Sequence, residues 1–97
     1  MNEKAGDRSW LLDSGGLTME TVPALFATGL RHLESDDLWV DFSRVESVDS
    51  AAVSMLLGWE RAAQRGKREL HVFNIPDDLL SLAGLYGVAD LLPQQSS

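Results

Sequence analysis

The chain has 97 residues, 44% hydrophobic and 24% charged, which is enough for one core and too little for two domains. A formal net charge of -7 excludes the concentrated basic face that a phosphate-backbone binder needs, so nucleic acid is not the expected partner. With no cysteine, disulfides and thiolate metal sites are excluded too.

Residues 1–8 carry mixed charge without a pattern and are expected to form a flexible tail. They hold no apolar signal segment, and no run in the chain approaches the roughly 20 apolar residues of a membrane span, so a cytoplasmic location is expected. Ser9 to Leu12 and Gly16 to Thr18 are short apolar pieces around Asp13-Ser14-Gly15-Gly16, whose residues suit the positive-φ positions of a tight turn. The spacing predicts two short antiparallel strands.

From Thr21 the period changes. Val22, Leu25, Phe26, Leu30 and Leu33 recur at helical spacing, with Thr21 as N-cap and Pro23 in the first turn. Glu34-Ser35-Asp36-Asp37 stops that helix, and Leu38 to Phe42 reads as a buried central strand interrupted only by Asp41. A second helix is predicted from about Ala51 to Gln64, with Gly66 as its C′ residue and Arg61, Arg65, Lys67 and Arg68 near its negative pole. Leu70 to Ile75 forms the next strand. Pro76 opens a third helix whose apolar face is Leu79, Leu82, Ala83 and Tyr86, ending at Gly87; Ala89 to Leu92 adds a short turn before Pro93. Residues 94–97 form a loose end. The order β-β-α-β-α-β-α predicts an α/β domain over residues 9–93, a small mixed sheet packed with about three to four helices.

The most informative stretch is Asp41-Phe42-Ser43-Arg44-Val45-Glu46-Ser47-Val48-Asp49-Ser50-Ala51-Ala52-Val53-Ser54-Met55-Leu56-Leu57: a strand, a tight polar loop and a helix start. It resembles the central signature of the STAS family, shared by sulfate transporters and anti-sigma-factor antagonists, with Asp49, Ser50, Ala51 and Ala52 in the places of Asp-Ser/Thr and two small residues. The segment from Leu80 to Pro93 is similar to the end of the MlaB subgroup. These small proteins accompany the ATPase of an ABC-type phospholipid transporter that maintains outer-membrane lipid asymmetry. In the antagonists the phosphorylated serine commonly follows the first serine of the motif, and that position here is Ala51, which has no hydroxyl. The resemblance therefore implies docking onto a partner over a phosphorylation switch.

Beside the resemblance, Ser50 falls where an N-cap belongs, and a cap worth about 1 kcal/mol would by itself account for a serine there. At 100° per residue Ala51, Ser54, Gly58 and Ala62 make a stripe of small residues, while Ala52, Val53, Leu56 and Leu57 make a core face. Glycine inside a helix costs about 1 kcal/mol relative to alanine, so Gly58 points to a steric reason for smallness, which a docked partner would supply. Met55 and Trp59 lie between the two groups, where either core packing or the rim of a contact would put them. Asp49 is expected to accept amide hydrogen bonds at the positive helix end. The partner-binding candidates are thus Asp49, Ser50, Ala51, Ala52, Ser54, Met55 and Gly58, with Ser50 also the candidate for phosphorylation.

His32 and His71 stand apart from any metal-ligand spacing, and neither a phosphate-binding loop with lysine nor a nucleophile elbow occurs, so no metal, cofactor or catalytic activity is expected. Two functions follow from the resemblance. One is a subunit that binds and regulates or stabilises the transporter ATPase; the other is an anti-sigma-factor antagonist phosphorylated at Ser50, where the helix dipole favours negative charge. A small-ligand or nucleotide-binding domain is suggested only by analogy with other α/β architectures, and no ligand motif accompanies it.

Overall fold

A computed structural model describes residues 9–13 and 15–87. The tails at 1–8 and 94–97 and the turn expected at Ala89 to Leu92 lie outside the described residues. Burial alternates along β5 (Leu70–Phe73), while the central strand β3 (Leu38–Asp41) is buried on both faces. In these two strands Leu38, Val40, Leu70 and Val72 join the hydrophobic core, and Trp39 and His71 fall on the other face at period two. β1 (Trp10–Leu11) pairs with β3 in parallel, Trp10 opposite Val40, and β3 pairs with β5 in parallel, Leu38 opposite Leu70, in the order β1-β3-β5. A second small parallel ladder joins β2 (Gly16–Leu17) to β4 (Ser47–Val48).

The expected α/β fold of STAS type stands, with three helices among the described residues. The pairing of the first two strands does not. β1 and β2 belong to different ladders and are no hairpin, because Gly15 (φ 81) turns the chain away and gives its carbonyl to Glu46 N at 2.7 Å and Ser47 N at 3.2 Å. The positive-φ glycine is there as read; the donors to its carbonyl lie about thirty residues downstream, beyond what a local turn signal reports.

Helix α1 (Val22–Leu33) has Pro in its first turn. Thr21 sits at the N-cap, but its hydroxyl does not cap: it donates to Gly16 O at 2.8 Å and accepts from Thr18 N at 3.0 Å, tying the loop instead. Helix α2 (Ser50–Gly66) crosses α1 where Trp59, fully buried, donates from Nε1 to Phe26 O at 3.1 Å. Gly66 is still helical, and the left-handed position falls on Lys67 (φ 58); Arg68 N then reaches Ala63 O at 2.8 Å, closing the helix by a six-to-one hydrogen bond. Helix α3 (Asp77–Leu85) starts from Pro76 in extended conformation, carries Asp77 and Asp78 in its first turn, and is followed by Gly87 at φ 71. No helix among the described residues is long and apolar enough to cross a membrane.

Asp41 is the last residue of β3, at the carboxyl end of the sheet's central strand. Burial raises the pKa of its carboxyl, but hydrogen bonds to Oδ1 from Asn74 Nδ2 (3.0 Å) and Ser43 N (2.9 Å) outweigh this and hold it below the ordinary value.

Candidate functional site

Strand β4 delivers the chain to the start of α2. Asp49 N donates to Leu17 O at 3.0 Å, and Asp49 itself is extended (φ -130, ψ -170), the conformation of an N-cap. Its Oδ1 accepts from Ala51 N at 2.8 Å and its Oδ2 from Met19 N at 3.4 Å. The expectation that Asp49 accepts amide hydrogen bonds at the positive helix end is met. The placing of Ser50 at the N-cap is corrected: Ser50 is the first helical residue, one position too late to cap, because its neighbour's carboxylate already fills that role.

The consequence is chemical. Ser50 and, one turn on, Ser54 are exposed, and among the described residues neither hydroxyl has an intramolecular hydrogen bond. With Val53, Leu57 and Tyr86 they line an open depression of about 250 Å³ where the end of α3 meets α2. A neighbouring depression of about 290 Å³ is lined by Val48, Asp78, Ser81, Leu82 and Leu85. Around them Met19, Leu85 and Tyr86 stand 74%, 81% and 57% exposed. Met19 and the α3 end carry no chemical motif; their signal is visible only as apolar residues left out of the core.

The remaining candidates fall elsewhere. Ala52 and Met55 are buried in the core, so neither presents a surface; Trp59, between the same faces, is core as well. Ala51 is half-buried against the core margin. Gly58 is small for the protein's own sake: a Cβ there would lie 2.6 Å from Phe26 Cε1 and 2.8 Å from Cζ, so α1, not a partner, demands it. Ala62 likewise faces α1, in a cleft with Leu30, Leu33 and Arg65. The stripe read as one docking surface is therefore split. Its Gly58 and Ala62 end packs inward on α1, and the exposed face runs through Ser50 and Ser54, past half-buried Leu57, towards Arg61.

Arg61, Arg65 and Lys67 are exposed near the C-terminal end of α2, and Arg68 Nη2 donates to Glu34 O at 3.3 Å, so part of the basic group satisfies the last carbonyls of α1. His32 is exposed on α1. His71 stacks on Trp39 (5.1 Å, 13°) with its Nε2 3.0 Å from Glu69 Oε1. No group of three or more His, Cys, Asp or Glu among the described residues is arranged to hold a metal ion.

A profile of the family described as "Mlab, STAS domain" matches residues 3–93. Among curated proteins, the anti-sigma-B factor antagonist of Staphylococcus aureus strain NCTC 8325 / PS 47 is 28% identical over 80 residues, which is 80% of this chain and 74% of the relative; its counterparts in strains COL and Mu50 match equally.

Proposed function

The chain belongs to the STAS family, and on that premise we propose that it is a non-catalytic docking subunit, cytoplasmic and folded as one domain over residues 9–93. In this reading it binds and regulates or stabilises the ATPase of an ABC-type phospholipid transporter and carries no lipid itself. One observation carries it: the α2 start exposes two hydroxyls, Ser50 and Ser54, that have no hydrogen bond among the described residues, beside exposed apolar side chains. Asp49 holds the backbone rigid there, so a partner meets a preformed surface and the ordering cost of association is small. Ala51 in the place of the antagonists' phosphoacceptor supports a contact that is not switched by phosphate at that position.

Ser50→Arg tests the reading, since the residue is exposed and the substitution places bulk and charge at the contact without entering the core. Loss of co-purification with the ATPase, at unchanged circular dichroism and unfolding midpoint, is expected. Retained co-purification removes this role.

The likeness to the anti-sigma-B factor antagonist favours a second reading, partner switching under control of a serine kinase acting at Ser50. A phosphate there would gain from the helix dipole and lose by the Asp49 carboxylate beside it. Incubation with serine kinases of the anti-sigma type and intact mass measurement separates the two. A phosphate on Ser50, absent in Ser50→Ala, supports switching; an unmodified chain that also fails to bind the kinase ends it.

A further inference from the structure

Charge is unevenly spread among the described residues. Arg31, Arg61, Arg65, Lys67 and Arg68 lie in the C-terminal halves of α1 and α2 or just past the end of α2, where Glu34, Asp37 and Glu69 accompany them and Arg65 and Arg68 line a cleft; Arg44, in the loop before β4, lies 3.9 Å from Asp13. At the opposite end no described lysine or arginine lines either depression; Asp78 lies in one of them, Asp49 adjoins Ser50, and Glu20 follows the exposed Met19, whose amide Asp49 holds. The exposed apolar groups, Met19, Leu85 and Tyr86, stand among these carboxylates. Arg61 shares the free face of α2 but lies eleven residues from Ser50, about 16 Å along the helix. That exceeds the roughly 8 Å screening length of physiological salt, so it does not neutralise the acidic end.

Resting on the docking reading above, the geometry points to a partner surface of one chemistry: an aliphatic or aromatic side chain that enters the Ser50-Ser54-Tyr86 depression, flanked by lysine or arginine opposite Glu20, Asp49 and Asp78. The apolar centre supplies affinity, and the carboxylates select a basic polypeptide and speed its approach. An anionic bilayer is disfavoured at this end by the same charges.

The test uses the isotopically labelled full chain and three probes: an amphipathic peptide of leucine and lysine, its leucine and glutamate counterpart, and phosphatidylglycerol vesicles. The lysine peptide is expected to shift amide resonances of Met19, Ser50, Ser54, Leu85 and Tyr86, about tenfold more weakly in about 0.5 M salt than in about 0.05 M. Asp78→Asn with Glu20→Gln is expected to weaken it roughly threefold at low salt and not at high salt, and Leu85→Ala at both. All three substituted side chains are exposed, so the fold is retained. Equal or tighter binding of the glutamate peptide, shifts spread over the whole surface, or vesicle binding through the same residues would overturn the inference. The outcome is separable from that of Ser50→Arg. If the lysine peptide maps here while the ATPase does not bind, the surface chemistry stands and the transporter role falls; if the ATPase binds in a Ser50-dependent way while the peptide does not, the reverse holds.

Discussion

Gly29→Ala in α1 tests whether the α1–α2 crossing, and with it the direction in which Ser50 and Ser54 face, is set by a close approach of backbone to indole. In an open helix the change would stabilise the fold by about 1 kcal/mol. Here the added methyl would fall on the Trp59 ring, against Nε1, Cε2 and Cζ2, the last at 2.6 Å, where carbon contacts need about 3.5 Å or more. The indole cannot swing away. It is fully buried, its N–H is held by Phe26 O, and its ring lies 5.8 Å from that of Trp10. Overpacking of a fixed core group costs typically about 1–3 kcal/mol, and three ring atoms struck at once place this case at the upper end. Set against the helix-propensity gain, the net is a loss of about 2 kcal/mol, or a fall in Tm of roughly 8–16 °C for a domain of this size. Urea and thermal unfolding followed by far-UV circular dichroism measure it. Gly84→Ala is the control: nothing lies within 4 Å of its Cβ, so a gain of about 0.5–1 kcal/mol is expected. A Gly29→Ala protein as stable as the parent would refute the account of the crossing.

At Gly58 the obstacle is the far edge of Phe26, so Gly58→Ala should be destabilising in the parent and should become stabilising by about 0.5–1 kcal/mol in a Phe26→Leu background, a sign change read from a double-mutant cycle. Asp49→Ala removes the cap of α2 and should cost about 1–2 kcal/mol by urea unfolding, whereas Ser50→Ala should lie within about 0.5 kcal/mol of the parent, since Ser50 does not cap. Lys67→Gly relieves a left-handed non-glycine residue at the end of α2 and should raise stability by about 0.5 kcal/mol in the same assay. The Asp41 carboxyl titrates lower folded than unfolded; its contribution is therefore complete above the unfolded value near 3.8 and is lost as pH falls through the lower folded value. Asn74→Ala should shrink that acid-side loss in urea titrations across this range and leave stability differences between pH 5 and pH 7 unchanged.

Local signals were legible because they are carried by neighbouring residues. The 3.6-residue recurrence of Val22, Leu25, Phe26, Leu30 and Leu33, the apolar run Leu38 to Phe42 and the small-residue start of α2 each report an element without reference to anything distant. So does the choice of strand and helix order, which with right-handed crossovers leaves few folds open, and the stretch Asp49 to Ala52, whose resemblance pointed to the family that the profile over residues 3–93 shows. Between Asp49 and Ser50 the choice of cap was not legible, since either side chain can accept the same amide and only the phase of the helix decides.

What the tertiary structure alone decided concerns partners in space. That β1 and β2 join separate parallel ladders depends on Val40 and Ser47, thirty residues away, and no turn residue encodes it. That Gly58 serves Phe26, that Ala52 and Met55 are core, and that Tyr86 stands beside Ser54 depends on which helix covers which side of α2. A helical wheel gives the angular order of side chains. It does not give the identity of what they face, because that is set by the packing of the other elements around the helix.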